Sequence, residues 1–445
     1  MTHVSADEGP GAGRGSRPPG RVAVVGAGMV GLASAWFLQE RGVEVTVIER
    51  VRVAAGSSWG NAGWLTPSLA APLPEPAVLR YGLRAVLMPT SPVYVPLRAD
   101  PRLLRFLAGF ARNSTANRWR RAMGALAPVN RRALGAFDIL AAGGVDVPTR
   151  PAVPFLACYR DPHEREALIL ELEEIRSAGQ HVEFDLLDGR AARTLEPALT
   201  DGIGAAIRIH GQRFCDPGDF VTALADSVRA RGGELREGVG VLAIHAGRAA
   251  DRAADRGNRR RAGAAEVGLE LSTGQIDRFD AVVVACGAWL TDLVRPFGVR
   301  TLVQAGRGYS FSVTARDLPR GPLYFPTHRV ACTPLGNRLR IAGMMEFREP
   351  HAPLDRRRIT AIVNAVRPLL AGVDVDTRTQ EWVGSRPCTP DGLPLIGRTA
   401  SPRVFVAGGH GMWGITLGPI TGQLVAEAVT TGRCPDHLAP FDPLR

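Results

Sequence analysis

The stretch Val22-Ala-Val-Val-Gly26-Ala-Gly28-Met-Val-Gly31, running on to Val45-Thr-Val-Ile-Glu49-Arg50, decides the fold. An apolar run stops at a glycine, a helical segment through Ala35 stops near Gly42, and a second apolar run stops at an acid. Strand, glycine turn, helix and strand in this order open a dinucleotide-binding α/β unit. Gly26 permits the tight turn, Gly28 lets the backbone approach a pyrophosphate, and Gly31 lets the helix pack closely. The helix N-terminus offers unpaired N–H groups and its positive dipole end to the phosphates. Glu49 is placed to accept from both ribose hydroxyls, which disfavours a 2′-phosphate. FAD and NAD are the candidates that remain.

The chain has 445 residues, 45% of them hydrophobic, enough for two or three domains or one interleaved pair. It contains no apolar run of about eighteen residues, and residues 1–20, rich in Gly, Pro, Ser and Arg, read as a disordered lead without a signal-peptide core. Six cysteines with no CxxC pair suit a reducing compartment, so a cytoplasmic location is expected, with no disulfide framework and no metal site. The net charge of +11 comes from arginines spread along the whole chain, not gathered in a stripe, so nucleic acid is not an expected partner. An anionic membrane face remains compatible with that surface. The chain has no lysine at all, which excludes Schiff-base and lysine-ammonium mechanisms; arginine stays protonated and serves as a clamp for carboxylates.

After the fingerprint, Gly56-Ser-Ser-Trp-Gly60-Asn-Ala-Gly63 reads as a loop lying against the cofactor. Pro67–Pro101 is proline-punctuated, and Arg102–Ala142 reads as two helices of an inserted cap. A strand near Val153–Cys158, an amphipathic helix over Pro162–Ala178, a helix over Phe220–Arg231 and a strand over Gly238–His245 follow. Arg248–Ala265 reads as a solvent loop within a hairpin. Asp280-Ala-Val-Val-Val-Ala-Cys-Gly287-Ala-Trp289 is a fully buried parallel strand. Strands near Val299–Val313, Val330–Thr333 and Arg338–Ala342, with a helix over Pro353–Leu370 across them, predict a second, β-rich unit. Trp382–Gly397 reads as loop, Val404–Gly409 as buried strand, and Ile415–Thr431 as the last helix.

These motifs, together with Arg307-Gly-Tyr309-Ser, Asn337-Arg-Leu-Arg-Ile-Ala-Gly343-Met-Met-Glu346, Arg386-Pro-Cys-Thr-Pro-Asp-Gly-Leu-Pro-Leu-Ile-Gly397 and Gly408-Gly-His410-Gly-Met-Trp-Gly414-Ile-Thr416, stand in a fixed order from Arg21 onward. The pattern resembles the FAD-dependent D-amino-acid dehydrogenase branch of the superfamily that includes D-amino-acid oxidase, glycine oxidase and sarcosine oxidase. The resemblance implies an α/β fold in which a Rossmann-like FAD-binding domain (21–70, 215–296 and 380–435) is interleaved with a β-rich α+β substrate domain (71–214 and 297–379). It implies noncovalent FAD bound by Gly26, Gly28, Gly31, Glu49 and Arg50, by Ser57, Ser58, Asn61, Ala62 and Gly63, and by the Val241 backbone at the adenine. Gly287 and Trp289, then Gly411, Gly414, Ile415 and Thr416 around the flavin, complete that set.

Oxidising an amine α to a carboxylate requires the carboxylate pinned and the Cα–H aimed for hydride transfer, so the protein needs a clamp more than a strong base. By motif position Arg386 resembles the carboxylate-binding arginine, and Tyr309 the hydroxyl that donates to the same carboxylate. His410 stands in a glycine loop, where it either hydrogen-bonds flavin or substrate, or caps the last helix or fills space. Trp59, Trp64 and Trp413 either wall the pocket or fill the core.

Two departures stand out. Glycine oxidases carry an arginine in the GHxR-type loop where this chain has Met412 and Trp413, and sarcosine-type oxidases use a lysine near the flavin for reaction with oxygen. Dehydrogenase behaviour with a non-oxygen acceptor is therefore expected. Cys388 is not at the offset expected for covalent flavin attachment. The leading expectation is oxidation of a D-amino acid to an imine and then to keto acid and ammonia. The alternatives are oxidation of a secondary or cyclic amine, and a flavin-binding subunit without turnover.

Overall fold

Strand alternation builds the first sheet. In Arg21–Val25 the side chains of Val22 and Val24 enter one core, while Ala23 and Val25 enter another on the opposite face. Ala281–Val284 divides its residues in the same way. In this computed structural model, which describes residues 19–76, 92–96, 100–246 and 266–445, the two strands are central neighbours in a six-stranded sheet. Its order is Glu234–Arg236, Glu44–Ile48, Arg21–Val25, Ala281–Val284, Val404–Gly408 and Leu395–Arg398. The first five run parallel and the last is antiparallel to its neighbour.

One face carries the helices Met29–Gln39, Pro217–Ala230 and Gly414–Thr431. The last lies hard against the first, since a Cβ at Gly422 would stand 2.5 Å from the Ala33 carbonyl carbon and one at Gly418 would stand 2.5 Å from Met29 Cγ. The other face is covered by an antiparallel meander of Val241–Ala246, Val267–Leu271 and Ile276–Phe279. The tract 248–265, residues 1–18 of the expected lead, and 77–91 and 97–99 of the proline-punctuated segment lie outside the described residues.

The second sheet is larger. Its path runs Thr379–Cys388, Gln304–Thr314, Arg338–Phe347, Val330–Leu335, Leu323–Phe325, Leu156–Tyr159, Ala205–Ile209 and Phe184–Asp188, with Val93–Tyr94 added beside Arg338–Phe347. The helix Arg356–Val366 packs on it through Ile359, Ile362, Val363 and Val366. The cap is two helices, Pro101–Asn113, opened by Asp100 accepting from Arg102 and Leu103 N–H, and Ala116–Ala142.

One segment departs from the sequence reading. Trp382–Gly397, read as loop, holds the end of a ten-residue strand, Thr379–Cys388, and the short strand Leu395–Arg398. Residues 380–388, which the expected boundary assigned with the dinucleotide unit, pair with Gln304–Thr314 in the larger sheet. The strand is an edge, where a proline such as Pro387 leaves no inner ladder bond unmade. Among the described residues no helix is long and apolar enough to cross a membrane.

Candidate active site

The glycine turn forms as its residue types require. Gly26 has φ +108°, and a Cβ there would lie 2.7 Å from the Ala285 carbonyl oxygen. A Cβ at Gly31 would lie 1.9 Å from the Gly26 carbonyl oxygen, so this glycine fits the helix under the turn itself. At Gly28 only the Ser58 hydroxyl, 3.3 Å from such a Cβ, would be met.

The helix that follows has no side-chain cap and no acid in its first turn. Ser58 Oγ accepts from Met29 N–H at 3.2 Å, which brings the second glycine loop onto the helix N-terminus. Glu49 Oε2 accepts from Ala27 N–H at 2.9 Å and Oε1 from Val51 N–H at 3.0 Å, holding the carboxylate beside the turn. A positive helix end with no acid in its first turn, next to a fixed carboxylate, fits a pyrophosphate and an adjoining ribose. The Glu49 backbone also accepts from Val239 N–H at 3.0 Å, two residues before the half-buried Val241.

Beyond the parallel strand, Gly287 turns at φ +61° and Trp289 stacks under the Arg50 guanidinium at 3.7 Å. Trp289 Nε1 donates to His351 at 2.8 Å. Sequence reasoning had singled out Arg50 and Trp289 separately; His351 was not foreseen.

A cavity of about 610 Å³ lies against the larger sheet, closed by the second glycine loop, the cap helix Pro101–Asn113, the helix Glu166–Ser177 and the start of the last helix. Of the residues named from sequence, Ser57, Asn61, Ala62, Tyr309, Arg386 and Thr416 line it. Asn61 Oδ1 accepts from Gly63 N–H at 2.9 Å and Gly63 turns at φ +77°, which fixes the loop. Ser57 donates to the Ser385 carbonyl, and Thr416 Oγ1 to the Trp64 carbonyl at 3.0 Å. Gly411 (φ +55°) and Gly414 open the last helix, and Ile415 is buried in the core behind them.

Arg386 Nη1 donates to the Met344 carbonyl at 2.7 Å, and no carboxylate is paired with this guanidinium among the described residues. The site for it is built by a bulge. Arg307 faces Glu346 and Tyr309 faces Gly343, so Met344 and Met345 together oppose Gly308. Met344 takes φ +67°, and the guanidinium lies across Gly308, where a Cβ would be 2.2 Å away. The indole of Trp382 likewise lies across Gly60 and Gly384. A lone glycine inside a strand signals such an approach, and Gly308 and Gly384 carried that signal in the sequence.

Tyr309 is bonded to a protein group, and His410 takes the second of its two expected places, packed against the last helix. The Tyr309 hydroxyl donates to Glu346 Oε2 at 2.6 Å, so its proton is committed to a protein carboxylate instead of a substrate. Glu346 is 1% exposed and also accepts from Arg307 Nη1 at 3.2 Å, with Arg348 at 3.6 Å. Burial and the Glu346 contact push the Tyr309 hydroxyl further up, away from ionisation. His410 is buried, its Nε2 paired with Thr421 Oγ1 at 2.9 Å within the last helix, and it does not line the cavity. Burial holds its pKa down to about 4. Of the three tryptophans expected either at the pocket or in the core, Trp413 and Trp64 line the cavity, each with its Nε1 bonded, to the Ala71 carbonyl at 2.8 Å and to Thr333 Oγ1 at 2.9 Å. Trp59 lies under the Arg340 guanidinium.

A family model described as FAD dependent oxidoreductase, DAO, matches residues 21–428. The chain belongs to the DAO family. It is 32% identical over 428 residues to a D-amino acid dehydrogenase of Cereibacter sphaeroides, covering 94% of this chain and 93% of that one. The identity is also 32% to a D-amino acid dehydrogenase of Xanthobacter autotrophicus, over 94% and 96% of the two chains. The fold matches glycine oxidase from Geobacillus kaustophilus with a TM-score of 0.70 at 24% identity, over 97% of this chain and 99% of that one. The DAO chain is thus an amine-oxidising flavoenzyme of the amino acid dehydrogenase and oxidase family, and FAD is its cofactor. Trp382, Tyr324, Arg329 and Glu171, which the sequence did not single out for the site, also line the DAO cavity.

Proposed function

We propose that the chain oxidises a D-amino acid at its Cα–N bond, with FAD held noncovalently, and passes the electrons to an acceptor other than oxygen. The observation that carries this reading is the Arg386 guanidinium, which lines the cavity, is anchored through Nη1 on the Met344 carbonyl, and lacks a protein carboxylate among the described residues. Burial lowers its pKa, opposed by the neighbouring Cys388 sulfur and by no carboxylate among the described residues, so a substrate carboxylate is the partner it favours. Anchoring one side of the fork on a carbonyl fixes the guanidinium plane, and with it the angle at which a bound α-carboxylate presents its Cα. When bound, FAD supplies the hydride acceptor.

The balance is simple. The neutral amine loses hydride from Cα and a proton from nitrogen to give the imine, which water converts to keto acid and ammonia. No carboxylate or imidazole of the site needs to abstract the Cα proton, in keeping with the apolar side chains, Met345 and Phe347 among them, on the wall that carries Arg386.

The glycine turn, Glu49, Ser57, Ser58, Asn61, Ala62 and Gly63 are the residues assigned to FAD, with Thr416 at the cavity. Noncovalent binding is supported by Cys388, whose buried thiol is pushed up to about 12 and so stays a poor nucleophile. Slow reaction with oxygen is supported by the absence of lysine. A cytoplasmic location, with contact to an anionic membrane face through the arginine-rich surface, belongs to the same reading.

The test is anaerobic bleaching of the yellow protein by a panel of D-amino, L-amino and imino acids. Bleaching by D-amino acids is expected, followed by reoxidation that is faster with a quinone or dye than with air. Bleaching only by cyclic or secondary amines, or by none of the panel, would overturn the assignment.

A further inference from the structure

The cavity is walled by two separate sets of apolar side chains. Arg386 stands on the wall that contains Met345, Phe347, Phe110 and Met412. The second wall contains Leu69, Leu168, Trp64 and Tyr324. Glu171 opens onto the cavity from the helix Glu166–Ser177, whose buried face is Leu168, Leu172 and Ile175. Position 171 follows Leu168 by three residues and precedes Ile175 by four, so helical geometry sets this carboxylate on the apolar face.

A carboxylate on that face costs solvation unless something pairs with it. Glu171 makes no hydrogen bond or ion pair with any described residue. Its pKa is raised, first by burial, then by the neighbouring Glu75 and by Glu174, against the opposing pull of Arg329. Negative charge therefore outweighs positive around this carboxylate, even with a guanidinium nearby, while at the other wall Arg386 is a cation without a carboxylate. One cavity thus presents a cationic clamp on one wall and a carboxylate on the other.

We propose that Glu171 receives the cationic side chain of the substrate, making this chain selective for basic D-amino acids. The inference rests on the reading of the cavity as an amino-acid oxidation site. The α-carboxylate lies on Arg386, the aliphatic part of the side chain crosses between the apolar walls, and the terminal ammonium or guanidinium pairs with Glu171. Arg329 and Tyr324 on the same wall make a dicarboxylic substrate the competing occupant. Two carboxylates, Glu171 and Glu75, stand in this part of the lining against the one guanidinium of Arg329, which favours a cation over a second anion.

The experiment compares kcat/KM of the holoenzyme, with an artificial dye as acceptor, for D-lysine, D-arginine, D-glutamate and D-norleucine, the last matching lysine in chain length without the charge. The wild-type protein is expected to favour D-lysine or D-arginine over D-norleucine by about tenfold or more. In Glu171→Gln that ratio is expected to fall towards one, and in Glu171→Asp to be partly kept. Equal use of D-norleucine and D-lysine by the wild-type protein, or a preference for D-glutamate, would overturn the proposal even if neither variant folds. So would a Glu171→Gln protein that loses activity on all four substrates in equal proportion. Turnover of D-norleucine without a preference for basic substrates defeats this inference alone, whereas no bleaching by any D-amino acid defeats the underlying reading as well.

Discussion

The guanidinium of Arg386 rests on the bare Cα of Gly308, so closely that a β-carbon there would stand 2.2 Å from Nη2. The two residues are 78 positions apart in the chain and are brought together by the pairing of Thr379–Cys388 with Gln304–Thr314, in which Gly308 faces Gly384. Gly308→Ala is expected to push the guanidinium off its seat without removing it. The half-saturation for substrate should rise and kcat/KM fall by about ten- to a hundredfold, or about 1.4 to 2.7 kcal/mol, while FAD content stays near stoichiometric. Steady-state kinetics beside the flavin-to-protein absorbance ratio checks this, and unchanged kinetics would dissociate Arg386 from the substrate.

Arg386→Ala should cost more than Gly308→Ala. A partly buried charge-assisted pair is worth about 2 to 4 kcal/mol, which corresponds to roughly thirty- to a thousandfold in kcat/KM. Arg386→Lys should recover little, because an ammonium cannot both hold the Met344 carbonyl and present a planar fork. Rapid-mixing reduction of the flavin should slow in both variants.

Tyr309→Phe, by contrast, is expected to act on stability. It leaves the Glu346 carboxylate, 1% exposed, short of one donor, at a cost of about 1 to 3 kcal/mol. Glu346→Ala should cost more, about 3 to 5 kcal/mol, because the buried Arg307 guanidinium loses its carboxylate. Denaturant midpoints measure both. A Tyr309→Phe protein of wild-type stability whose substrate half-saturation rises as far as that of Arg386→Ala would restore the tyrosine to the carboxylate clamp.

His410 gives a pH signature. Burial holds the folded imidazole neutral down to about 4, while the unfolded side chain takes up its proton near 6.5. Between these values the unfolded chain binds more protons, so stability is full above about 6.5 and falls as the pH drops, by about 2 kcal/mol at pH 5. His410→Gln, which keeps a donor for Thr421 without a titrating ring, should flatten that slope between pH 7.5 and 5. A slope unchanged in the variant would place the acid sensitivity elsewhere.

The fingerprint glycines should separate into two kinds. Gly31→Ala drives a β-carbon onto the Gly26 carbonyl oxygen, 1.9 Å away and part of the backbone, so the melting temperature should fall sharply. Gly28→Ala meets only the Ser58 hydroxyl at 3.3 Å and should fold, yet lose FAD affinity, since the added methyl stands where a pyrophosphate approaches. Titration of the apoprotein with FAD distinguishes the two.

Local rules, acting over a few residues, settled much of this protein from its sequence. The glycine turn, the alternating Val22–Val25 and Ala281–Val284 strands and the helix through Phe220 were legible because strand period, helix period and glycine freedom are properties of adjacent residues. The order of the motifs was enough to name the family. Tertiary structure decided what adjacency cannot encode. Thr379–Cys388 is polar, carries Gly384 and Pro387, and becomes a strand only because an open sheet edge accepts it. A tyrosine hydroxyl goes to the strongest acceptor within reach, and for Tyr309 that is Glu346 across the sheet. A histidine in a glycine loop turns towards core or cavity according to what packs behind it, and Thr421 turned His410 inward. The carboxylate of Glu171 sits on a helix whose periodicity was plain, but only the packing of that helix and the larger sheet around one cavity puts it in the same lining as the Arg386 guanidinium. Periodicity fixes which side a residue is on; long-range packing fixes what it meets there.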